Sequence, residues 1–263
     1  MTSTVPPFAQ LVAPQDWRTV DFISDLHLTP AQPATFAALQ RYLAGQSADA
    51  LFILGDFFEV WVGDDAADGD GFARDCATLL RSAAQRTAVY FMRGNRDFLV
   101  GDVFLRQCHA KLLNDPAILD FDGRRWLLTH GDALCLDDSD YMQFRQQVRT
   151  TQWRDEFLAR PLAQREAIAR QMRDASEQRK RSGVDYADLN AEAVRDWLQA
   201  AQAPVMIHGH THKPAQHEMG LVAGVPMTRI VLSDWDGGAT PPRQQVLRLT
   251  LGQPGGPQRI ELR

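Results

Sequence analysis

Residues 19–27, TVDFISDLH, join a short apolar run to two polar side chains that could bind a metal ion. The run at 19–24 is rich in β-branched and aromatic residues, which predicts a β-strand. Similar runs follow at 50–54 (ALFIL) and 87–92 (TAVYFM), and the segments between them, 33–44 and 72–85, have helical spacing. This alternation of strands and helices predicts an α/β fold.

Polar side chains directly follow each predicted strand, including two later strands at 126–129 and 205–207. The five clusters are Asp25-Leu-His27, Gly55-Asp56-Phe-Phe-Glu59, Arg93-Gly-Asn95-Arg96-Asp97, His130-Gly-Asp132 and His208-Gly-His210-Thr-His212. One such cluster alone is usually a turn with solvated side chains. Five in succession predict a common site, because ligand sites of α/β sheets form beyond the carboxyl ends of the strands.

The donor atoms of these clusters favour divalent metal ions bound through nitrogen and oxygen. Imidazole, carboxylate and amide groups are present and cysteine is absent from them, which suits Mn²⁺, Fe²⁺ or Zn²⁺ in an octahedral site. The side chains outnumber the ligands of one ion, so we predict two ions with a bridging carboxylate. Two metals about 3.5–4 Å apart recur in enzymes that carry out in-line displacement at phosphorus.

The five clusters resemble the motifs of the calcineurin-like metallophosphoesterase superfamily over residues 18–235. Within it, the sequence resembles the family of UDP-2,3-diacylglucosamine hydrolases of lipid A biosynthesis. The stretches that carry this second resemblance are ILGDFFEVWVGDD, FMRGNRDFLVG, THGDALCLDDSDYMQFR, IHGHTHKPAQH and RIVLSDW.

The resemblance implies a role for each matching residue. One Mn²⁺ or similar ion is expected on Asp25, His27, Asp56 and His212, and a second on Asp56, Asn95, His130 and His210. Catalytic roles are implied for Arg96, His210 and Asp56. Substrate contacts are implied for Asn95, Arg96, Asp138, Ser176, Lys180 and His210. The sequence departs from the family pattern near residue 183, where Ser182-Gly183 replaces an expected lysine.

Arg96 indicates what kind of leaving group the reaction has. Many superfamily members have histidine after the Gly-Asn pair, where it can protonate a leaving alkoxide, whereas arginine does not release its proton at working pH. Arginine therefore favours a leaving group that needs only charge stabilisation, such as a phosphate. The resemblance then implies hydrolysis of UDP-2,3-diacylglucosamine to UMP and 2,3-diacylglucosamine 1-phosphate (lipid X).

Two alternatives stay open at this point. One is a related dimetal phosphoesterase that acts on a soluble nucleotide or phosphoester. The other is an inactive member of the superfamily that serves as a binding scaffold, which the presence of all seven predicted ligands disfavours.

Length and composition predict one folded domain with an insertion. The chain has 263 residues, 44% of them hydrophobic, and a net charge of −5, which disfavours a disordered chain and a nucleic-acid partner. We predict a two-sheet α/β/β/α sandwich over 18–252, a helical cap inserted at about 136–203, and flexible tails at 1–17 and 253–263.

The inserted segment is basic although the whole chain is acidic. Residues 160–181 contain six Arg and one Lys against three acidic residues, a net charge of +4. Leu158, Leu162, Ile168 and Met172 form an apolar stripe. This pattern predicts either a solvated amphipathic helix on the core or a cap that faces the diphosphate or an anionic membrane. The resemblance favours the cap, and no protein partner is indicated.

The sequence also indicates where in the cell the protein is expected, and it disfavours a calcium site. Three cysteines are too few and too widely spaced for a disulfide framework, and no apolar run approaches the roughly 18 residues that span a bilayer. Residues 1–15 do not resemble a signal peptide. We therefore expect a cytoplasmic protein, and the resemblance implies peripheral association with the cytoplasmic face of the inner membrane. Asp64, Asp65, Asp68 and Asp70 lack EF-hand spacing and are expected to form a solvated turn.

Overall fold

Two six-stranded sheets form the centre of the protein. The computed structural model describes residues 5–181, 188–254 and 256–262, with only the backbone described at 174–181. In this part of the chain the strands are β1 (Ala9–Val12), β2 (Thr19–Ile23), β3 (Ala50–Leu54), β4 (Ala88–Met92), β5 (Lys111–Leu113), β6 (Ala117–Phe121), β7 (Arg124–Thr129), β8 (Val205–His208), β9 (Ala215–Val222), β10 (Val225–Val231), β11 (Gln245–Thr250) and β12 (Gln258–Glu261). The helices are α1 (Pro33–Gly45), α2 (Phe72–Ala83), α3 (Asp102–Cys108), α4 (Ser139–Val148), α5 (Thr151–Leu158), α6 (Leu162–Arg181) and α7 (Ala191–Ala201).

The first sheet has the strand order β12-β11-β2-β3-β4-β5. Strands β2 to β5 are parallel, and Phe22, Phe52 and Tyr90 stand side by side in register. Because successive side chains point to opposite faces, these rings face the second sheet. Their neighbours along the strands, such as Ile53 and Phe91, face α1, α2 and α3. Both faces are therefore covered, as parallel strands require.

The second sheet has the order β1-β6-β7-β8-β10-β9. Its inner face presents Leu128 and Ile207 to the aromatic rings of the first sheet. Its outer face presents Leu127 and Met206 to Trp197 of α7. The layers are thus helix, sheet, sheet and helix, which confirms the predicted α/β/β/α sandwich.

The segment predicted as a helical cap has two parts in the structure. Helices α5 and α6 pack against the core cluster that also contains the helix-facing side chains of the first sheet, through residues such as Phe157 and Ile168. Helix α7 instead forms the outer layer over the second sheet. Its N-terminus is capped by Asn190, whose side chain accepts hydrogen bonds from the backbone of residues 192 and 193.

Both predicted tails contain a strand, so the prediction of loose tails is wrong for these residues. Strand β1 pairs with β6 in parallel, with Ala9 opposite Ala117. Strand β12 pairs with β11, with Ile260 opposite Val246. Both are short edge strands with mixed polarity, so the period-two pattern is too weak to find them. Among the described residues no helix is long and apolar enough to cross a membrane.

Candidate metal centre

The seven predicted metal donors meet where strands of both sheets end. Asp25 and His27 follow β2, Asp56 follows β3 and Asn95 follows β4, while His130, His210 and His212 follow β7 and β8 of the second sheet. Five of them have left-handed backbone: Asp25 (φ 54°), His27 (φ 47°), Asp56 (φ 52°), His210 (φ 68°) and His212 (φ 54°). Non-glycine residues adopt this conformation at a cost of about 1–3 kcal/mol and concentrate at functional sites.

One group of donors contains His27, His212, Asp25 and Asp56. The two Nε2 atoms of His27 and His212 lie 3.1 Å apart. Asp25 Oδ1 is 3.4 Å from His212 Nε2, and Asp56 Oδ2 is 3.8 Å from His27 Nε2. The other ring nitrogen of His27, Nδ1, lies 2.9 Å from Glu59 Oε2. A proton on Nδ1 is stabilised by that carboxylate, which leaves the Nε2 lone pair directed at the group.

A second group contains His130, Asn95 and His210, together with the other oxygen of Asp56. Asn95 Oδ1 is 2.9 Å from both His130 Nε2 and His210 Nδ1. Asp56 Oδ1 is 3.6 Å from His130 Nε2. His130 Nδ1 lies 2.9 Å from the carbonyl oxygen of Leu54, to which it donates its proton. Asp56 therefore lies between the two groups, with one oxygen toward each.

These residues fit divalent cations because acceptor atoms converge in both groups. Asp25, His27 and His212 form one set whose ligand atoms lie within 4.8 Å of one another, and Asp25, Asp56 and His130 form another. Asp25, Asp56 and His130 are buried, and buried carboxylates require a compensating positive charge. Nitrogen and oxygen donors without thiolate suit Mn²⁺, Fe²⁺ or catalytic Zn²⁺.

Negative charge dominates the electrostatics of the centre. Burial alone would lower the pKa of His130, but the carboxylates of Asp56, Asp25 and Asp132 raise this pKa to about 9. Burial and the neighbouring His130 lower the pKa of His210 to about 4. Burial would raise the pKa of Asp25, yet the three nearby histidines hold it below its usual range.

The turn after β4 is held tightly against Asp56. Arg96 donates its backbone N–H to Asp56 Oδ1 at 2.8 Å. A Cβ atom on Gly94 would overlap the Asp56 carboxylate, so only glycine fits at this close approach. Asp97 accepts hydrogen bonds from Gly94 N at 2.7 Å and Phe57 N at 2.8 Å. Burial and the charge of Asp56 raise the pKa of Asp97 to about 6.

Glu59 links the centre to two arginines. Its Oε1 lies 3.8 Å from Arg96 Nη1. Burial would raise the pKa of Glu59, but contact with His27 and the charges of Arg96 and Arg173 lower it. The guanidinium of Arg96 is thereby oriented beside the metal donors, where it can meet an anionic substrate.

Helix α4 contacts the centre directly, which the sequence does not predict. Tyr141 donates its hydroxyl to Asp132 Oδ2 at 2.6 Å, and its ring lies 6.2 Å from the His210 ring. Arg145 Nε donates to the same oxygen at 2.8 Å. Arg149 Nη2 lies 3.5 Å from it and donates to the carbonyl oxygen of Gly94 at 2.9 Å. Asp132 is two residues beyond His130, so α4 supports two of the donor-bearing turns.

Three predicted substrate contacts belong to the inserted segment. Asp138 is the N-cap of α4, where its side chain accepts a hydrogen bond from Tyr141 N at 3.0 Å. Ser176 and Lys180 lie on α6, but their side chains are outside the described residues. Contacts of these three residues with a substrate stay predictions.

Comparison with known proteins agrees with this fold. The sequence profile of the calcineurin-like phosphoesterase family matches residues 18–214. The chain is also similar to proteins named UDP-2,3-diacylglucosamine hydrolase. Chromobacterium violaceum has one at 46% identity, over 83% of this chain and 91% of the relative. Those of Ralstonia nicotianae and Pseudomonas aeruginosa are 45% and 43% identical, over 89% and 83% of this chain and 90% and 91% of theirs.

The chain is therefore a calcineurin-like phosphoesterase. Within that class it belongs to the UDP-2,3-diacylglucosamine hydrolase family.

Proposed function

We propose that this protein hydrolyses the diphosphate of UDP-2,3-diacylglucosamine and releases UMP and 2,3-diacylglucosamine 1-phosphate. The observation that carries the proposal is the donor set at the strand ends with the guanidinium of Arg96 beside it. The relatives named UDP-2,3-diacylglucosamine hydrolase, at 43–46% identity over most of the chain, support the substrate.

Two divalent cations, for which we propose Mn²⁺, would be held by the residues of the two groups. The first set is Asp25, His27, Asp56 and His212, and the second is Asp56, Asn95, His130 and His210. When bound, such ions polarise the phosphoryl group and lower the pKa of water.

Side chains of the protein stabilise charge, orient the metal donors and bind the substrate. Arg96 stabilises the charge of the departing phosphate and keeps its own proton throughout. Glu59 orients both the Arg96 guanidinium and the His27 ring. Asp97 holds the turns that carry Asp56 and Asn95 through its two backbone hydrogen bonds. Substrate contacts are proposed for Asp138, at the N-cap of α4, and for Ser176 and Lys180 of α6.

The test is release of UMP by the purified protein. Wild-type protein with Mn²⁺ should release UMP from UDP-2,3-diacylglucosamine in detergent micelles. Asp56→Asn, which keeps the side-chain volume but loses the bridging carboxylate, should not. Hydrolysis of soluble nucleotides without hydrolysis of the lipid substrate would instead favour the alternative of a soluble phosphoester substrate.

The protein also associates peripherally with the cytoplasmic face of the inner membrane in this proposal. The net charge of +4 at residues 160–181 supports it, because each basic residue near an anionic leaflet contributes about 1 kcal/mol. Replacing the exposed Arg160 and Arg170 with Gln removes about 2 kcal/mol and should weaken binding to vesicles that contain phosphatidylglycerol by roughly 30-fold. Binding that is unchanged in a sedimentation assay would contradict the membrane proposal alone.

A further inference from the structure

Specific contacts hold the acidic loop after β3. The prediction of a solvated turn is wrong for Asp64, whereas the side chain of Asp65 is 48% exposed and also paired. Asp64 accepts hydrogen bonds from Gly101 N at 2.8 Å, Phe104 N at 3.0 Å and Trp61 Nε1 at 3.2 Å. Asp65 pairs through both carboxylate oxygens with Arg165 of α6. The sequence does not reveal this pairing because the partner lies 100 residues further along the chain.

Arg165 is buried and all parts of its guanidinium are bonded. Only 3% of the side chain is exposed. Nε donates to the carbonyl oxygen of Arg160 at 2.9 Å, and Nη1 donates to that of Val62 at 2.5 Å. A bidentate guanidinium–carboxylate pair fixes direction as well as distance, because both groups are planar. We call the Asp65–Arg165 pair the latch.

The latch lies within the apolar stripe of α6. Leu162 and Ile168, three residues to either side of Arg165, pack against the core beside Trp61 and Val62. Met172, one turn beyond Ile168, is 42% exposed. The first two turns of α6 are thus packed against the core. Most of their contacts are apolar, and the latch is the contact that fixes a direction.

The loop that holds the latch also reaches the metal centre. Trp61 donates its backbone N–H to the carbonyl oxygen of Arg96 at 3.2 Å, and the carbonyl oxygen of the next residue, Val62, accepts the hydrogen bond from Arg165. Glu59 of the same loop lies 2.9 Å from His27 Nδ1. One loop therefore carries Glu59 toward the metal donors and Asp65 toward α6.

We propose that the latch fixes α6 against the loop at residues 59–65, beside the metal centre, and that Asp65 and Arg165 thereby set the affinity for the part of the substrate beyond the diphosphate. The inference rests on the proposed function for the identity of that substrate. Both residues are positioning residues, since they contact the loop and the helix and act on the substrate through α6.

Kinetics on two substrates separates positioning from a general loss of structure. Arg165→Met and Asp65→Asn should each raise KM for UDP-2,3-diacylglucosamine about tenfold or more, as expected when a binding element is misplaced by about 1 Å. Turnover of bis(p-nitrophenyl) phosphate, which needs only the metal centre, should change by less than about twofold. Asp65→Glu, which keeps the carboxylate, should recover part of the lost affinity.

Matched controls exist on both sides of the latch. Glu166→Gln changes the next residue of α6, whose exposed contact with Arg170 is 4.0 Å and contributes little. Asp68→Asn changes an exposed aspartate of the same loop. Neither control should alter KM. Unchanged KM in the latch variants, or an equal loss on both substrates, would overturn the proposal.

Hydrogen exchange tests the latch without any substrate. In Arg165→Met the backbone amides of α6 should exchange at least about tenfold faster than in wild type, while those of α1 and α2 stay the same. Unchanged exchange in α6 would overturn the latch. Absence of UMP release by the wild type would instead overturn the proposed function, and the exchange result would still decide whether α6 is held by Arg165.

Discussion

Arg96 has a fixed backbone and a charged side-chain end that faces the space where the substrate would bind. Its N–H donates to Asp56 Oδ1, and its Nη1 lies 3.8 Å from Glu59 Oε1. Any shift of the turn at Gly94 would therefore move both the Asp56 carboxylate and the guanidinium. At the scale of the residue, charge stabilisation and metal binding are coupled through this single turn.

Replacing Arg96 should reduce hydrolysis of the diphosphate substrate much more than metal binding. Arg96→Ala should lower kcat/KM for UDP-2,3-diacylglucosamine by about 100-fold, because the charge of the departing phosphate loses its positive partner. Arg96→Lys, which keeps the charge without the planar fork, should lose less. Steady-state UMP release measures both.

The control for Arg96 is the Mn²⁺ content of the variants, which should equal that of wild type because only the backbone of Arg96 contacts a metal donor. Diphosphate turnover that is unaffected in both Arg96 variants would contradict a role in catalysis.

Residues of the site differ in how far the sequence predicts them. The seven candidate metal donors are predictable because each follows an apolar run, and the structure brings them together. Glu59 and Asp97 lie in the same clusters, but their roles in the site depend on their partner atoms. Glu59 lies beside His27 Nδ1, and Asp97 accepts a hydrogen bond from Gly94 N. Such pairings depend on three-dimensional register and leave no periodic pattern in the sequence.

At the scale of elements, α4 supports the donor-bearing turns from outside the sheets. Arg145 and Arg149 both approach Asp132 Oδ2, but only Arg149 also donates to the carbonyl oxygen of Gly94. Arg149 also lies over the Phe98 ring, 5.2 Å from its centroid. It therefore joins the turn after β4 to the turn after β7.

Arg149→Met should weaken Mn²⁺ binding by about tenfold, the lower end of what loss of an outer contact costs a metal site. The reason is that the turn that carries Asn95 loses its hydrogen bond to α4. Arg145→Met removes only a contact with Asp132 and should affect thermal stability more than Mn²⁺ affinity. Calorimetric titration with Mn²⁺ and thermal unfolding of the two variants would show this difference. Equal Mn²⁺ affinities would contradict it.

The strands also show which elements a sequence can reveal. Strands β2, β3 and β4 are central, buried on both faces and continuous in apolar residues, so they are predictable. Strand β9 has alternating half-buried and exposed residues, including charged Glu218, and it lies at a sheet edge. Its place depends on the partner strand β10 rather than on its own composition.

At the scale of the whole molecule, the metal centre joins the two sheets. Asp25, His27, Asp56 and Asn95 come from the first sheet, and the three remaining donors come from the second. Ions bound there stabilise the folded state in proportion to their occupancy, because the unfolded chain does not hold the donors together.

Mn²⁺ at 100 times its dissociation constant should raise the free energy of unfolding by about 2.7 kcal/mol per ion. Chelation should lower the unfolding midpoint, and titration of Mn²⁺ should raise it with the logarithm of the metal concentration. Asp56→Asn is the control and should respond far less. A wild-type midpoint that is the same in chelator and in Mn²⁺ would contradict a metal site between the sheets.

The wide spacing of the donors along the chain also has a consequence for synthesis. His27 and His212, whose Nε2 atoms lie 3.1 Å apart, are separated by 185 residues. At about 5–20 residues per second, a ribosome completes that interval in roughly 10 to 40 seconds. Throughout this time the early carboxylates lack their late imidazole partners. Assembly of the candidate donor groups is therefore among the last events in the maturation of the nascent chain.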